Sequence, residues 1–217
     1  MIINIDKPTG WSSFDVVKKI KNITRHKKVG HGGTLDPFAS GVLIIGTESD
    51  TKKLTKITNS DKAYVAKLEL GKTTNTLDTE GEIIHSEEIP NLDSTKIKSI
   101  LNKFLGKQKQ KPPMYSAKKH KGVRLYKLAR KNIEVERSYS DFVVHKIELL
   151  DFTKNVISFI VECSKGTYVR VLGKDIAKQL NTVGYLTALK RTRVGNYLLS
   201  DSLTINAFQN KWKSSHH

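Results

Sequence analysis

One carboxylate lies in a loop whose composition is unsuited to regular secondary structure. Asp36 follows glycines at positions 30, 32 and 33, precedes Pro37, and is the one acidic residue between Asp15 and Glu48. Glycine lets the backbone approach a bulky ligand, and the proline disfavours helical dihedral angles at Asp36. In an enzyme site such a carboxylate serves as a nucleophile or an ion-pair partner. The alternative is an Asp-Pro turn whose carboxylate bonds nearby backbone amides, and spacing alone favours that turn.

Positive charge is concentrated in one part of the chain. The 217 residues include 38 Lys and Arg against 21 Asp and Glu, a net charge of +17. Residues 96–137 hold fourteen basic and two acidic side chains, whereas residues 61–93 hold three basic and eight acidic ones. A polyanion such as nucleic acid would bind the first segment and be repelled by the second. The alternative is that the lysines only cover solvent-exposed helix faces.

The composition excludes several protein classes. With 37% hydrophobic and 27% charged residues, the chain is not of the disordered type. No apolar run approaches the roughly 20 residues that span a bilayer. A single cysteine, Cys163, excludes an internal disulfide and a cysteine-built metal site. The first residues do not have the pattern of a secretion signal, so we expect a cytoplasmic protein.

The hydrophobic pattern predicts the elements that must position Asp36. Strands are expected at residues 1–6, 42–45, 63–70, 142–150 and 156–163. Helices are expected at residues 14–23, from about 94 to a stop at Gly106, and at 125–131 and 168–180. Residues 30–37 are predicted to be a loop, and residues 107–113 to be extended or irregular. Because the elements do not alternate regularly, the pattern favours an α+β fold with a mainly antiparallel sheet.

Asp36 belongs to the string GHGGTLDPFASGVL, residues 30–43, which resembles the catalytic motif of the TruB family of tRNA pseudouridine synthases. Four further motifs resemble those of the same family in the same order. They are NIDKPTGWSS (4–13), KAY (62–64) with Gly71, Thr74, Thr76, Asp78 and Gly81, QKPPMYSAK (110–118) with the residues up to Arg130, and CSKGTYVR (163–170). The resemblance extends from about residue 3 to residue 197. It implies the pseudouridine synthase fold, with flanking helices and a basic RNA-gripping insertion.

The resemblance also implies the reaction, which converts uridine to pseudouridine in the T-loop of tRNA, at position 55, with no metal or cofactor. Asp36 matches the catalytic aspartate, and the sequence leaves open whether it attacks the sugar or the base. Arg170 matches the arginine that pairs with this aspartate. Tyr64 matches a tyrosine packed against the target base and implicated in proton removal. Without the motifs, Arg170 would be interpreted as a surface arginine in a first helical turn and Tyr64 as an ordinary strand residue.

Further residues match the family's substrate-binding positions. His31 matches a histidine that helps to flip the base out, and Tyr168 and Leu189 match apolar residues around the uracil, although core packing would otherwise explain both. Lys7 is expected to support the site. Five basic residues of the insertion become expected phosphate contacts: Lys118, Lys119, Lys121, Arg124 and Arg130.

We expect a single catalytic domain over residues 1–217, with the insertion at about 96–137 and no carboxy-terminal PUA domain. The roughly 20 residues after Tyr197 are too few for one. A natural short form and a truncation both stay open, as does the origin of His216 and His217. The expected partner is the tRNA T-arm, bound by a monomer without guide RNA or membrane. The alternatives are a non-catalytic tRNA-binding or folding protein and a guide-RNA-dependent synthase, against which the bacterial-type insertion weighs.

Overall fold

The computed structural model describes residues 1–215, and His216 and His217 lie outside them. The chain forms two compact units. Unit 1 consists of Met1–Tyr64 and the segment from Leu189 onward, and unit 2 consists of Val65–Ala188. The single catalytic domain expected over the whole chain stays a prediction.

Helices and strands are mixed along the described chain. The helices are α1 (Ser13–Thr24), α2 (Leu54–Thr58), α3 (Ser94–Asn102), α4 (Leu125–Ala129), α5 (Val169–Gln179) and α6 (Ile205–Ser214). The strands are β1 (Ile2–Lys7), β2 (Val29–His31), β3 (Ser40–Thr47), β4 (Lys62–Leu70), β5 (Lys72–Thr74), β6 (Ile83–Ser86), β7 (Gly106–Gln110), β8 (Lys119–His120), β9 (Val123–Arg124), β10 (Ser140–Thr153), β11 (Val156–Cys163), β12 (Gly184–Val194) and β13 (Tyr197–Leu198). Short 3-10 helices cover Glu48–Lys53 and Leu199–Asp201. No helix among residues 1–215 is long and apolar enough to cross a membrane.

Strand β3 is the best-buried strand of unit 1. It pairs antiparallel with β1 and β2, and parallel with β12, where Lys190 lies opposite Ser40. One hydrophobic core combines residues of β1, β3, α1 and α6: Ile3, Ile5, Val16, Val17, Ile20, Leu43, Ile45, Ile205 and Phe208. Alternate residues of β3 enter a second core of Val42, Ile44, Leu54, Ile57 and Val194. The strand that follows the loop containing Asp36 is therefore fixed on both faces.

Helix α1 confirms the helix predicted at residues 14–23. Its N-cap Ser12 accepts a hydrogen bond from Asp15 N at 3.1 Å, and the Asp15 carboxylate accepts one from Ser12 N at 2.9 Å. This capping box satisfies two backbone donors that the first helical turn leaves without intrahelical partners. Hydrogen bonding to Ser12 lowers the pKa of the Asp15 carboxyl group, which favours the ionised carboxylate in the capping box.

Unit 2 contains a sheet in which β10 pairs antiparallel with β11 and β7, and helix α3 packs against β10. The strand order is β12–β4–β11–β10–β7, where β4 and β12 contribute their residues between 65 and 188. The strands predicted at residues 142–150 and 156–163 are confirmed as β10 and β11, which form an antiparallel hairpin joined at Lys154 and Asn155. Helix α3, capped by Asp93, packs against β10 and α5 and buries Ile97 and Leu101. Mainly antiparallel pairing and mixed elements confirm the predicted α+β class.

Several parts of the chain add to the sequence prediction or differ from it. Residues 107–110, expected to be extended or irregular, are extended, and they continue from Gly106 as strand β7, whose pairing with β10 was not predicted. The predicted loop at 30–37 begins later, because residues through His31 pair with β3. Strand β12 and helix α6 were not predicted at all.

Candidate active site

Asp36 lies in the segment of residues 32–39 between β2 and β3, which we call the Asp36 loop. The Ser13 hydroxyl of helix α1 accepts a hydrogen bond from Leu35 N and donates one to Leu35 O, both at 2.9 Å. The carbonyl of Asp36 accepts a bond from Ala39 N at 3.1 Å. Leu35 and Ala39 are buried, whereas Asp36 is partly exposed. The loop is therefore anchored on both sides of the carboxylate.

Lys7 is a buried cation that binds the segment beside this loop. Its ammonium group donates to the carbonyl oxygens of Trp11 at 2.6 Å and Pro8 at 2.8 Å, and more weakly to that of Pro37 at 3.4 Å. Its side chain has no exposed surface. Because Pro37 directly follows Asp36, the geometry is compatible with the supporting role expected for Lys7.

Three more predicted site residues lie in unit 1. Tyr64, in β4, is buried, with 6% of its surface exposed. Leu189, in β12, is equally buried and precedes Lys190, which lies opposite Ser40 at the end of the Asp36 loop. His31 is the last residue of β2 and is partly buried. Burial alone is compatible with both core packing and a pocket around a base, so their roles stay predictions.

Arg170 occupies the first turn of α5 in unit 2, where 4% of its surface is exposed. Its guanidinium donates to the carbonyl oxygens of Thr76 at 2.6 Å and Tyr115 at 2.7 Å. It also forms an ion pair with the Asp78 carboxylate, with 3.2 Å between Nη1 and Oδ2. Burial and three anchors exclude the surface arginine that spacing alone would suggest. They fix the plane and direction of the guanidinium.

Asp78 is held as firmly as the arginine that it neutralises. One carboxylate oxygen accepts bonds from the Thr76 hydroxyl at 2.6 Å and from Glu80 N at 2.9 Å. The turn is closed by Gly81, where a Cβ atom would lie 2.4 Å from the Thr76 hydroxyl oxygen. The family motif at residues 71–81 thus builds a buried anion for Arg170. Asp78 belongs to the family motif, but its pairing with Arg170 was not predicted from the sequence.

Tyr168 immediately precedes α5 and is oriented through its backbone. Its amide donates to the Gln110 side-chain oxygen at 3.2 Å, and the Gln110 amide group donates to Gly166 O at 3.3 Å. Gln110 is 2% exposed at the end of β7. This buried glutamine positions the loop before α5, and sequence reasoning missed its role because a lone polar residue is usually exposed.

The basic insertion presents its cations to solvent. Lys119 and Arg124 lie opposite each other in the β8–β9 hairpin, and Lys121 forms its turn with φ of 47°. Lys118 donates to the Ser140 hydroxyl at 2.9 Å, and the Arg130 guanidinium lies 5.6 Å from the Tyr126 ring centroid. All five predicted phosphate contacts are exposed. They present the accessible positive charge that an RNA backbone would need.

The predicted catalytic residues are distributed over both units. Asp36 and Tyr64 belong to unit 1, and Arg170 belongs to unit 2. The pairing of Arg170 with Asp36 stays a prediction. Within residues 1–215, no three His, Cys, Asp or Glu side chains form a group that could hold a metal ion.

Sequence comparison identifies the class to which this fold and these residues belong. Residues 21–169 match the family described as TruB family pseudouridylate synthase (N terminal domain). The chain is 45% identical over 204 residues to tRNA pseudouridine synthase B of Clostridium kluyveri, covering 94% of this chain and 70% of that protein. The enzyme of the same name from Clostridium tetani is 45% identical over 204 residues, covering 94% of this chain and 71% of its own length. The chain belongs to the TruB family, as its motifs indicated.

Solved structures give the same fold. A crystal structure of a Cbf5-Nop10-Gar1 complex contains a chain with a TM-score of 0.78 and 29% identity, matched over all of this chain and 56% of that chain. A structure of an H/ACA RNP bound to a substrate RNA containing 2′-deoxyuridine gives a TM-score of 0.74 and 26% identity, over all of this chain and 55% of that one. This chain thus spans just over half the length of these structural relatives. The pseudouridine synthase fold is confirmed.

Proposed function

We propose that this chain isomerises uridine to pseudouridine in tRNA, at position 55 of the T-loop. The observation that carries the proposal is the 45% identity to enzymes named tRNA pseudouridine synthase B, together with the retained Asp36 motif. The alternative of a non-catalytic tRNA-binding protein is not favoured, because Asp36, Tyr64 and Arg170 are all present.

The reaction requires no net gain or loss of atoms. The bond between N1 of uracil and C1′ of ribose breaks, the base rotates, and a bond forms between C5 and C1′. C5 then loses its proton, and N1, which is released from the sugar, gains one, so that the atoms balance. A carboxylate supports this sequence by forming a covalent intermediate or by stabilising the positive charge on the sugar. We assign this role to Asp36.

The remaining residues have supporting roles in the proposal. Arg170, fixed by Asp78 and two backbone carbonyls, would pair with the Asp36 carboxylate and favour its ionised form. Tyr64 would pack against the flipped base and assist proton removal from C5. Tyr168 and Leu189 would line the uracil pocket, and His31 would help to extrude the base.

Binding of the tRNA T-arm is assigned to the exposed cations of the insertion. They would contact phosphates and position the RNA, while the shape of the arm and its extruded base would provide recognition. We further propose that the protein acts as a cytoplasmic monomer without guide RNA. Sedimentation of the protein with and without one equivalent of tRNA measures the stoichiometry, and a dimer in either sample contradicts the monomer.

The activity is tested by incubating the protein with unmodified tRNA transcript and mapping pseudouridine by carbodiimide modification. We expect one modified position, U55, and the same modification in an isolated T-arm hairpin. A matched transcript with cytidine at position 55 should give no product. Modification elsewhere would contradict the position, and the absence of any modification would contradict the function.

The role of the insertion is tested by changing Lys118, Lys119 and Lys121 together to Gln. If each lysine contacts one phosphate, the slope of log K against log salt should fall by roughly 2–3 in magnitude, since each neutralised phosphate contributes about 0.7–0.9. The matched control changes three exposed lysines outside the insertion: Lys67, Lys72 and Lys154. An equal change of slope in both triple variants would show a non-specific effect of net charge.

A further inference from the structure

Arg191 is a buried arginine of β12 that contacts the Asp36 loop and the strand after it. Only 1% of its surface is exposed. Its Nε donates to Val42 O at 2.7 Å, its Nη1 to Thr34 O at 3.3 Å, and its Nη2 to Gly33 O at 3.2 Å. Gly33 and Thr34 precede Asp36, whereas Val42 belongs to β3. A single guanidinium therefore connects both sides of the loop.

Burial of the charged Arg191 guanidinium costs free energy that its hydrogen bonds must offset. Burying a charged group is strongly unfavourable without compensating partners. Within residues 1–215, the structure records no carboxylate paired with Arg191, and its recorded partners are the three carbonyl oxygens. An apolar side chain of similar volume would fill the same space without that cost. Such a side chain would not have the rigid, planar set of donors with which the guanidinium binds three carbonyl oxygens at once.

The backbone of Arg191 is also fixed, by close contact with strand β3. Arg191 lies opposite Gly41 in the parallel β3–β12 pair. A Cβ atom on Gly41 would lie 2.2 Å from Arg191 O, so the two backbones are in direct contact. Gly41 also has φ of 104°, which disfavours other residues. The guanidinium thus extends from a strand whose position relative to the loop has little freedom.

We propose that Arg191 is a positioning residue that sets the direction of the Asp36 carboxylate through the carbonyls of Gly33 and Thr34. It is one step removed from the substrate and acts on the loop backbone. The inference rests on the proposed function, because that function makes Asp36 important. The contact of Arg191 with the loop backbone does not depend on it. Lysine would keep the charge but not the planar arrangement of N–H donors, because one ammonium group cannot reproduce the three donor directions.

The test compares Arg191→Lys with Arg193→Lys, the same substitution two residues along the strand, where the guanidinium donates to Gly195 O at 3.4 Å. Three quantities are measured: the amide ¹H–¹⁵N resonances of residues 33–36, the single-turnover rate with enzyme in excess, and the Kd for tRNA. Arg191→Lys should shift these resonances and lower the single-turnover rate by up to about 100-fold, the cost of a misplacement near 1 Å, with an unchanged Kd. Arg193→Lys should change none of the three.

Each outcome decides the proposal. Unshifted resonances, or a loss confined to the Kd, would overturn it. If the wild-type protein forms no pseudouridine, the proposed function fails, while the resonances still report whether Arg191 positions the loop. If Arg191→Lys does not fold, hydrogen exchange at Nε of Arg191 in the wild-type protein decides. Slow exchange supports the fixed contact, and exchange at the rate of an exposed arginine contradicts it.

Discussion

The buried pair of Asp78 and Arg170 gives the most quantitative prediction. Asp78 is 2% exposed and Arg170 is 4% exposed, so water screens their interaction little. Removing one partner of a buried pair costs about 3–5 kcal/mol, because the other charge is left uncompensated. Asp78→Asn keeps an oxygen for the Thr76 hydroxyl and Glu80 N. We therefore expect a smaller loss of roughly 2–3 kcal/mol in the free energy of unfolding, near the value of a hydrogen bond to a charged group.

The assay is urea unfolding followed by circular dichroism for the wild type, Asp78→Asn, Arg170→Met and the double variant. Because the two side chains contact each other, the double variant should lose less than the sum of the single losses. The difference should be about 0.5–3 kcal/mol, the range found for residues in contact. Glu82→Gln removes an exposed carboxylate from the same loop and should change the free energy by less than about 0.5 kcal/mol.

Additive losses in the four-protein cycle would refute the ion pair as an energetic unit. A loss of the same size in Glu82→Gln would show that the loop responds to net charge rather than to the pair. Single-turnover rates of the folded variants then test whether the pair also holds Arg170 in a functional orientation, and a wild-type rate in Asp78→Asn would contradict that role.

Two further predictions concern stability. Gly41→Ala should be more destabilising than Gly10→Ala: both have positive φ, which costs other residues about 1–2 kcal/mol, but only the new Cβ at 41 would meet Arg191 O, at 2.2 Å. Equal thermal midpoints for the two variants would contradict the close strand contact. Burial raises the pKa of Asp175 above its ordinary value of 3.8, so the folded chain binds this proton more tightly than the unfolded chain and loses stability as pH rises between 3.8 and the raised value. The urea midpoint of Asp175→Asn should therefore exceed that of the wild type by more at about pH 8 than at about pH 4, and a constant difference would contradict this linkage.

Elements determined by neighbouring residues could be predicted from the sequence. Helix α1 has its cap at Ser12, and helical spacing places Val16, Val17 and Ile20 on one face. The β10–β11 hairpin likewise has two apolar segments beside a short turn. In each case the pattern and the stabilising contacts lie within one short stretch, so local reasoning was sufficient.

Elements stabilised by distant partners could not be predicted in this way. Strand β7, with the sequence GKQKQ, has no apolar alternation and is defined by its pairing with β10. Strand β12 places the charged Arg191 in the interior, where a sequence pattern expects an apolar residue. The hydrogen-bond partners of Arg191, Gly33 and Val42, are separated from it by 158 and 149 positions in the chain.

In the candidate site, too, some features could be predicted from the sequence and others depend on distant contacts. The motif resemblance predicted Asp36, Arg170 and Tyr64 as catalytic residues from the sequence. The groups that hold these residues, Asp78 for Arg170 and Ser13 for the Asp36 loop, appeared only in the structure. Both are ordinary residue types whose contacts depend on the tertiary fold.

The central claim is that Asp36 carries out the isomerisation. The most direct measurement is single-turnover formation of pseudouridine at U55 by the wild type, Asp36→Asn and Asp201→Asn, the last changing an exposed carboxylate of unit 1. The Kd for tRNA and the thermal midpoint are measured on the same samples. We predict that Asp36→Asn binds tRNA and folds like the wild type but forms no pseudouridine, and that Asp201→Asn is fully active. Pseudouridine formation by Asp36→Asn at the wild-type rate would contradict the account.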